Sequence, residues 1–196
     1  MVDYRPDSGY IEMIVGPMFS GKSEDLIKNI NTFIIAKKKV LIFKPKKDSR
    51  SGYTEIKSRN GKKIRAYPIK NSKEIYEIIE KQEEKPTVVA IDEVQFFDEG
   101  LIEVSEKLAD DGIKVLLAGL DMDFRGEPFP TVAKLMARAE IVNKLKAVCT
   151  ICAQPATRSQ RIIEGEPAHY DSPTIQVGDS DIYEARCRMH HYVPKD

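Results

Sequence analysis

The sequence predicts an α/β protein whose parallel sheet is covered by helices on both faces. Short apolar runs alternate with stretches of helical spacing up to about residue 147. The apolar runs lack the period-two pattern of half-exposed strands, as expected for strands buried on both sides. From residue 148 onward there is no long helical pattern, and proline and glycine recur. We therefore expect a larger domain at residues 1–147 and a small irregular domain at 148–196. The small domain would need a cross-link, such as a bound metal ion, to be stable.

The elements of the larger domain follow from these patterns in order. Residues 10–15 form the first strand, and the next helix places Leu26, Ile30, Phe33 and Ile34 on one face. The later elements are a strand at 38–45, a helix that begins at Asn71 or Ser72 and buries Ile75, Ile78 and Ile79, a strand at 87–93, a helix at 99–110 that buries Leu101, Val104 and Leu108, and a strand at 113–120. The polar, basic residues 46–63 are expected to form a mobile loop or an exposed hairpin.

Composition excludes several classes of protein. The 31 Lys and Arg residues balance 31 Asp and Glu residues, which argues against a protein whose main task is to bind nucleic acid. The N-terminus lacks an apolar signal segment, and no apolar run is long enough to span a bilayer. Three cysteines are a poor basis for a disulfide framework. These features predict a cytoplasmic protein without a membrane or nucleic-acid partner.

The stretch GPMFSGKS at residues 16–23 matches the phosphate-binding pattern G-x-x-x-x-G-K-[ST] in full. A predicted strand precedes it and a predicted helix follows it, as the pattern requires. Backbone N–H groups of such a loop and the dipole of the next helix attract phosphate oxygens. Lys22 would reach the terminal phosphates of a nucleotide, and Ser23 would bind Mg²⁺. The predicted phosphate-binding residues are Gly16, Pro17, Met18, Phe19, Ser20, Gly21, Lys22 and Ser23.

Two acids, Asp92 and Glu93, end the predicted strand at 87–93. At the carboxyl end of a strand next to the P-loop strand, a carboxylate would lie beside the metal and the phosphates. In an ATPase or GTPase, Asp92 would help hold the metal and Glu93 would activate water. In a small-molecule kinase, Glu93 would instead accept the proton of a substrate hydroxyl. The alternative without a catalytic role is that the two acids cap the N-terminus of the next helix. Val94 and Gln95, which follow directly, are assigned to the same nucleotide site.

Aromatic residues gather near the same predicted edge of the sheet. Phe124 and Phe129 lie in the motif GLDMDFRGEPF, and Phe96 and Phe97 follow the two acids. They are candidates for stacking on a base or for the core. Arg125 is a candidate either for stabilising charge on a phosphoryl group or for a solvated ion pair. The residue pattern leaves both questions open.

Two pairs of residues in the small domain have metal-ligand spacing. Cys149 and Cys152 form C-x₂-C, and Cys187 and His190 form C-x₂-H. One tetrahedral Zn²⁺ accepts such a set of thiolates and imidazole. His191 is an alternative ligand, but the two-residue spacing favours His190. No open coordination position is evident, so we expect a structural zinc ion that contributes on the order of 10 kcal/mol to folding of the tail.

Six motifs together resemble those of the thymidine kinases found in bacteria and in animal cytosol. In chain order they are GPMFSGKS, KPKKDSR, IDEVQFF, GLDMDFRGEPF, CTIC and YEARCRMHH, and the resemblance extends from about residue 10 to residue 192. It implies a RecA-like P-loop domain and a zinc-stapled lasso domain that closes over thymidine. It also implies transfer of the γ-phosphate of ATP to the thymidine 5′-hydroxyl, homotetramers, and inhibition by thymidine triphosphate.

The resemblance implies roles for individual residues as well. Asp48 would help Ser23 to hold Mg²⁺, Glu93 would accept the proton of the 5′-hydroxyl, and Phe124 would stack on thymine. With Glu93, the candidate catalytic residues are Lys22 and Arg125. The residues assigned to the nucleoside site are Met18, Phe96, Phe124, Phe129, Ser159, Thr174, Ile175, Gln176, Val177, Gly178 and Tyr183. Those at 174–178 would bond the thymine edge through backbone groups.

A protein of another class fits part of the pattern. A RecA-like nucleic-acid-binding ATPase with a zinc ribbon would also carry the P-loop, the acidic pair and the zinc ligands. The basic segment 46–63 is its best support, whereas the zero net charge and the short chain weigh against it. A GTPase switch would need a guanine-reading motif such as N-K-x-D, and none is clear. The nucleoside kinase is therefore the preferred hypothesis.

Overall fold

The computed structural model describes residues 8–46, 55–57, 61, 63–174 and 183–195. In chain order the longer part contains β1 (Tyr10–Val15), α1 (Lys22–Ile35), β2 (Val40–Pro45), β3 (Glu55–Lys57), β4 (Lys63–Arg65), β5 (Tyr67–Ile69), α2 (Glu74–Glu80), β6 (Val88–Ile91), α3 (Gly100–Asp110), β7 (Lys114–Gly119), α4 (Pro130–Arg138) and β8 (Ile141–Lys144). Shorter strands follow, namely β9 (Ala147–Val148), β10 (Pro155–Ala156), β11 (Arg158–Ile163), β12 (Glu166–Pro167) and β13 (Tyr183–Arg186). Within these described residues, no helix combines the length and apolar character needed to cross a bilayer.

Six strands form the central sheet in the spatial order β5-β2-β6-β7-β1-β8. Neighbouring strands pair in parallel throughout, which confirms the predicted α/β class. Strand β7 lies between β1 and β6, so the prediction that the acidic strand neighbours the P-loop strand is wrong. A helical crossover can return a strand to a non-adjacent position, and the residues of β6 do not encode that choice. The carboxyl ends of β1, β6 and β7 still lie along one edge of the sheet.

Helix α1 covers one face of the sheet. Leu26, Ile27 and Ile30 are at most 2% exposed and pack on the strands, and Phe33 is partly buried beside them. The prediction for Leu26, Ile30 and Phe33 is therefore confirmed. Ile34 is 47% exposed, contrary to the prediction. It belongs to the last turn of α1, and its side chain no longer packs against this apolar cluster.

Helices α2, α3 and α4 cover the opposite face. The predicted inward residues pack in one apolar cluster, which contains Ile75, Ile79, Leu101, Val104 and Leu108, with Ile78 partly buried against it. Helix α4 adds Val132 and Leu135 to this cluster, although the sequence analysis assigned no element there. Helix α2 begins at Glu74, later than predicted.

Asp98 connects the start of α3 to the segment before α2. Its carboxylate accepts hydrogen bonds from the N–H and the hydroxyl of Ser72 at 2.9 and 2.7 Å. It also accepts one from the Gly100 N–H at 3.0 Å. Burial is the largest single influence on the pKa of Asp98 and raises it, but these hydrogen bonds together outweigh burial and lower the pKa. The ionised carboxylate therefore stabilises the folded state.

Replacing Asp98 with alanine is expected to lower the free energy of unfolding by about 1–3 kcal/mol, because the Gly100 N–H at the start of α3 and the buried Ser72 hydroxyl both lose their acceptor. Since the folded-state pKa lies below the unfolded value, this stabilisation is present above a pH of about 4 and is lost as the pH falls through the lowered pKa. Urea unfolding of both proteins at pH 7 and pH 3 measures the effect. A difference that does not shrink at pH 3 would contradict the role of the charge.

Strands β3 and β4 form an antiparallel hairpin, as one of the two predictions for residues 46–63 states. Ile56 is 2% exposed and packs in the cluster under α1. The Lys44 amine donates a hydrogen bond to the Glu55 carbonyl at 2.8 Å. The hairpin is therefore attached to the body of the protein rather than exposed throughout. Asp48, the predicted Mg²⁺ ligand, lies outside the described residues.

Candidate active site and metal centre

The P-loop connects β1 to α1. Gly21 precedes the helix with a φ of 85°, a left-handed conformation that glycine adopts without strain. The Lys22 amine donates a hydrogen bond to the Pro17 carbonyl at 2.7 Å, and the Ser20 hydroxyl donates one to the same oxygen at 2.8 Å. The loop thus places a cation beside the amino end of a 14-residue helix. This arrangement is suited to binding phosphates.

Ser23 and Asp92 meet at the carboxyl edge of the sheet, although β7 separates the strands that precede them. The Ser23 hydroxyl donates a hydrogen bond to Asp92 Oδ2 at 3.1 Å. Burial and then the charge of Glu93 raise the pKa of Asp92, against hydrogen bonds from the Glu93 N–H and Ser23 and the charge of Lys22. A bound cation would favour the ionised carboxylate. Hydroxyl and carboxylate oxygens suit Mg²⁺, so Ser23 and Asp92 fit the predicted metal–nucleotide site.

Glu93 has an unusual backbone conformation, with φ 54° and ψ 45°. Residues other than glycine rarely adopt this left-handed region, and those that do are concentrated at functional sites. The Gln95 amide donates a hydrogen bond to the Glu93 carboxylate, and Gln95 Oε1 accepts one from the Leu120 N–H at 3.0 Å. The Glu93 N–H donates to Asp92 Oδ1 at 2.9 Å. Gln95, assigned from the sequence to the nucleotide site, therefore also positions the Glu93 carboxylate.

Gly119 ends β7 at the place where residues 93–95 cross it. A Cβ atom at this position would lie 2.6 Å from Val94 Cγ2 and 2.7 Å from Gln95 Oε1. No side chain fits unless the turn that carries Glu93 moves. The glycine therefore allows this turn to pack over the end of β7.

For the phosphoryl transfer that the resemblance implies, with Glu93 as its general base, replacing Gly119 with alanine is expected to lower kcat about 10- to 100-fold, because shifting a reacting group by about 1 Å has effects of this size. The backbone of Gly119 lies outside the left-handed region, so the effect would come from the new methyl group and not from strain. Steady-state kinetics with both substrates measure it. An unchanged kcat would mean that turnover does not depend on this contact between Gly119 and the turn of Glu93.

Four residues assigned to the nucleoside site come together beside the P-loop. Phe124 is 2% exposed and packs in one apolar cluster with Tyr183, Met18 and Phe19. The Ser159 hydroxyl accepts a hydrogen bond from the Met18 N–H at 3.0 Å. Because these neighbours cover Phe124, a base would reach its ring only after they move apart. Stacking on Phe124 therefore stays a prediction.

The remaining aromatic candidates lie in other surroundings. Phe129 precedes α4 and packs against the cluster under α2, α3 and α4, and Phe97 is buried in the same cluster. Phe97 therefore belongs to the core, whereas Phe129 is only partly buried against it, and its assignment to the nucleoside site stays a prediction. Phe96 is half-buried in a short 3₁₀ helix, Val94–Phe96. Four predicted nucleoside contacts, Ile175, Gln176, Val177 and Gly178, lie outside the described residues.

Arg125 binds a segment between β12 and β13. Its Nε donates a hydrogen bond to the Tyr170 carbonyl at 2.6 Å, Nη1 to the Thr174 hydroxyl at 2.9 Å, and Nη2 to the Ser172 carbonyl at 2.9 Å. Asp123 Oδ2 lies 3.8 Å from Nη1, and the Arg125 side chain is only 18% exposed. The alternative of a solvated ion pair is therefore wrong. A role at the phosphates would require these bonds to break.

Cys149, Cys152, Cys187 and His190 converge, as the spacing predicted. Their ligand atoms all lie within 4.8 Å of one another. The Sγ atoms of Cys152 and Cys187 are 3.8 Å apart, which matches two thiolates on a tetrahedral zinc ion with Zn–S distances of about 2.3 Å. His191 is not part of the set, because its Nε2 lies 2.8 Å from the Phe124 carbonyl oxygen. These residues fit a zinc ion.

The environment of Cys149 favours a thiolate. Burial, the largest single influence, raises the pKa of Cys149. Hydrogen bonds from the N–H groups of Cys187, Cys152 and Ile151, together with His190, outweigh burial and lower the pKa to about 5. Thiolates are the form in which cysteines bind zinc, so this environment agrees with the metal assignment.

Phe19, in the P-loop, packs between two apolar clusters. It packs against the apolar cluster around the zinc ligands and also against the Phe124 cluster. A cavity of about 340 Å³ adjoins it and is lined by Phe19, Val148, Thr150, Tyr183, Glu184 and Ala185. The lining of this open cavity combines a P-loop residue with a residue assigned to the nucleoside site.

Solved structures that match part of this chain have low sequence identity to it. Domain III of the Thermotoga maritima replication initiation protein DnaA is 16% identical, with a TM-score of 0.43 over 72% of this chain and 57% of that one. The Legionella pneumophila ATPase DotB is 16% identical, with a TM-score of 0.46 over 77% and 44%. The Thermotoga maritima RuvB Holliday junction branch migration motor is 13% identical, with a TM-score of 0.40 over 74% and 40%. The match thus spans between 40% and 57% of these solved chains.

The family comparison covers nearly the whole chain. The model of the family described as thymidine kinase matches residues 9–191. This range contains the P-loop, the acidic pair and all four candidate zinc ligands. The chain therefore belongs to the thymidine kinase family.

Proposed function

We propose that this protein transfers the γ-phosphoryl group of ATP to the 5′-hydroxyl of thymidine and forms thymidine monophosphate. The observation that carries the proposal is the fixed carboxylate of Glu93 next to the Ser23–Asp92 pair. Such a carboxylate is suited to accept a proton from a substrate hydroxyl at a metal–nucleotide site. The family match supports thymidine as the acceptor.

The donor side of the proposed site consists of the P-loop and the residues around it. Residues 16–23 would bind the phosphates, and the Lys22 amine would leave the Pro17 carbonyl for the terminal phosphates. Ser23 and Asp92 would hold Mg²⁺, with Asp48 as the ligand that the resemblance implies. When bound, Mg²⁺ supplies charge neutralisation at the β- and γ-phosphates. Val94 and Gln95 would complete the nucleotide site.

In the proposed transfer to thymidine, each bond that forms is matched by one that breaks. Glu93 takes the proton of the 5′-hydroxyl as the oxygen forms a bond to the γ-phosphorus, and the bond from that phosphorus to the bridging oxygen of ADP breaks. Water must be excluded, because otherwise the same arrangement would hydrolyse ATP. We propose that residues 148–196 form a separate lasso domain that performs this exclusion over the domain at 1–147.

Thymidine would be held between the P-loop and the lasso. Met18, Phe124, Ser159 and Tyr183 would surround the base and sugar, and backbone groups at 174–178 would bond the thymine edge. Reading a base edge by hydrogen bonds would exclude cytosine more strongly than apolar packing alone. The zinc ion would be structural. By resemblance, we also propose a cytoplasmic homotetramer that thymidine triphosphate inhibits, without a membrane or nucleic-acid partner.

Phosphoryl transfer from Mg-ATP to a panel of nucleosides tests the proposal, with thymidine, deoxycytidine, deoxyguanosine and single-stranded DNA as separate additions. Both product nucleotide and free phosphate are followed. Thymidine monophosphate with little free phosphate is the expected result. Free phosphate that rises only with DNA would replace the proposal by a nucleic-acid-dependent ATPase.

A further inference from the structure

Two arginines from different parts of the fold bind one short segment of the small domain, residues 170–174, which we call the stem. Arg125, in the turn after β7, donates hydrogen bonds to two stem carbonyls and to the Thr174 hydroxyl. Arg161, in β11, donates a hydrogen bond from Nη1 to the Pro173 carbonyl at 2.7 Å. Four stem groups are therefore held by two guanidinium groups.

The turn that carries Arg125 is built to hold it in this direction. Asp123 Oδ1 accepts hydrogen bonds from the N–H groups of Arg125 and Glu127, at 2.8 and 3.0 Å. The Glu127 carboxylate in turn accepts a hydrogen bond from the Tyr170 hydroxyl. The turn therefore contacts the stem through two side chains, Arg125 and Glu127.

Arg161, which the sequence analysis missed, is 3% exposed. Its Nε has no hydrogen-bond partner among the described residues. Arg125 and Arg161 lie 5.2 and 5.6 Å from the ring centroid of Phe124. A buried charge is unfavourable unless its contacts compensate for it, and Arg161 lies two residues after Ser159 on the same face of β11. Side chains alternate between the two faces of a strand, so the position of Arg161 two residues after Ser159 is the sequence signal that would have identified it.

We propose that Arg125 and Arg161 are positioning residues that clamp the stem and thereby set the affinity for the nucleoside, without acting on the phosphoryl group. This inference rests on the proposed function. The stem ends at Thr174, the first of the residues 174–178 that are proposed to bond the thymine edge. Movement of the stem would therefore displace the start of that segment.

A clamp and a phosphate ligand affect different kinetic parameters. The clamp of Arg125 needs a planar group whose three nitrogens reach three acceptors, and lysine keeps the charge but lacks this fork. The Arg125→Lys variant therefore tests whether the fork is needed. Loss of a group that stabilises phosphoryl charge would lower kcat, whereas loss of the clamp would raise KM for thymidine, so the parameter that changes separates the two roles.

The kinetic experiment uses Arg125→Gln, Arg125→Lys, Arg161→Gln and the double glutamine variant of the full chain. Each single glutamine variant is expected to raise KM for thymidine about 10- to 100-fold, as for loss of hydrogen bonds from a charged donor, with kcat and KM for ATP within about threefold. Arg125→Lys should resemble Arg125→Gln. The double variant should exceed the larger single effect by no more than about threefold, because both arginines hold one stem.

Three kinetic outcomes would overturn the clamp. They are a fall in kcat in place of the rise in KM for thymidine, parameters unchanged in Arg125→Gln, and fully additive effects in the double variant. Arg138→Gln is the matched control, since Arg138 is an exposed arginine of α4 whose Nε lies 2.9 Å from Glu106. It should behave like the unmodified protein.

If a glutamine variant does not fold, the Arg125→Lys variant decides alone. Kinetic parameters equal to those of the unmodified protein in Arg125→Lys would then contradict the clamp.

Hydrogen exchange of the free protein tests the clamp independently of the substrate. Peptides covering residues 168–174 should exchange about tenfold faster in Arg125→Gln, in which the stem opens more easily, and at the original rate in Arg138→Gln. Unchanged exchange in Arg125→Gln would overturn the clamp. If the unmodified protein does not phosphorylate thymidine, the proposed function fails, and the exchange result still decides whether the clamp exists.

Discussion

Replacing Glu93 with glutamine is expected to lower kcat by about two to four orders of magnitude, the usual range for loss of a general base. Glutamine has nearly the same shape as glutamate, and its amide oxygen can still accept the hydrogen bond from Gln95. The left-handed backbone and the packing over Gly119 should therefore persist. Because only the ability to accept the proton is removed, KM for ATP and for thymidine should stay within severalfold. Steady-state kinetics of purified protein measure these quantities.

The Glu93 experiment has a matched control in the same part of the fold. Glu99 precedes α3 and forms an exposed ion pair with Lys134 at 2.8 Å, a kind of contact that contributes little in water. Glu99→Gln should leave kcat unchanged. Turnover of Glu93→Gln within tenfold of the unmodified protein would remove Glu93 from its proposed role. A large rise in KM instead of a fall in kcat would make Glu93 a binding residue.

The parts of the site that the sequence predicts well are those encoded over short distances. The P-loop needs a strand, a glycine turn and a helix start in succession, and the structure has all three around Gly21 and Lys22. The candidate zinc ligands form two local pairs, and a single tetrahedral ion would require both pairs to meet. In both cases the ligand, a phosphate group or a metal ion, allows only a few arrangements of the residues that bind it. The spacing of those residues in the sequence is therefore enough to identify them as candidates.

Features that depend on distant contacts could not be predicted in this way. The insertion of β7 between β1 and β6 follows from the order of strands in space, which no single strand records. Arg125 binds groups 45 to 49 positions away, so its local motif gave no indication of its partners. Phe129 and Phe124 lie five residues apart but pack in different clusters. The chain reverses direction between them in the turn that Asp123 holds.

Replacing Cys149 with serine is expected to remove zinc and to raise the dissociation constant for thymidine at least tenfold, while the affinity for ADP changes little. Zinc binding contributes about 10–16 kcal/mol in small zinc domains, which exceeds what the four buried residues of the small cluster around Cys149 supply. The ion would join the β9–β10 hairpin to the region after β13. Strand β13 pairs with β11, opposite Ser159 and Arg161. Loss of zinc would therefore loosen the strands that carry Ser159, Arg161 and Tyr183.

Metal analysis and calorimetric titration with thymidine and with ADP measure the two parts of this prediction separately. Ile151→Ser is the matched control, because Ile151 lies between two ligands and is 57% exposed, so serine there should preserve both zinc and affinity. A Cys149→Ser protein that retains zinc would refute the ligand assignment. One that loses zinc but binds thymidine normally would show that pairing of β11 with β13 and the packing of Phe19 hold the nucleoside site without the metal. The expected loss of thymidine affinity with retained ADP affinity would instead show that the metal organises the acceptor side alone, since the P-loop depends on the turn at Gly21 and on α1 rather than on the zinc ligands.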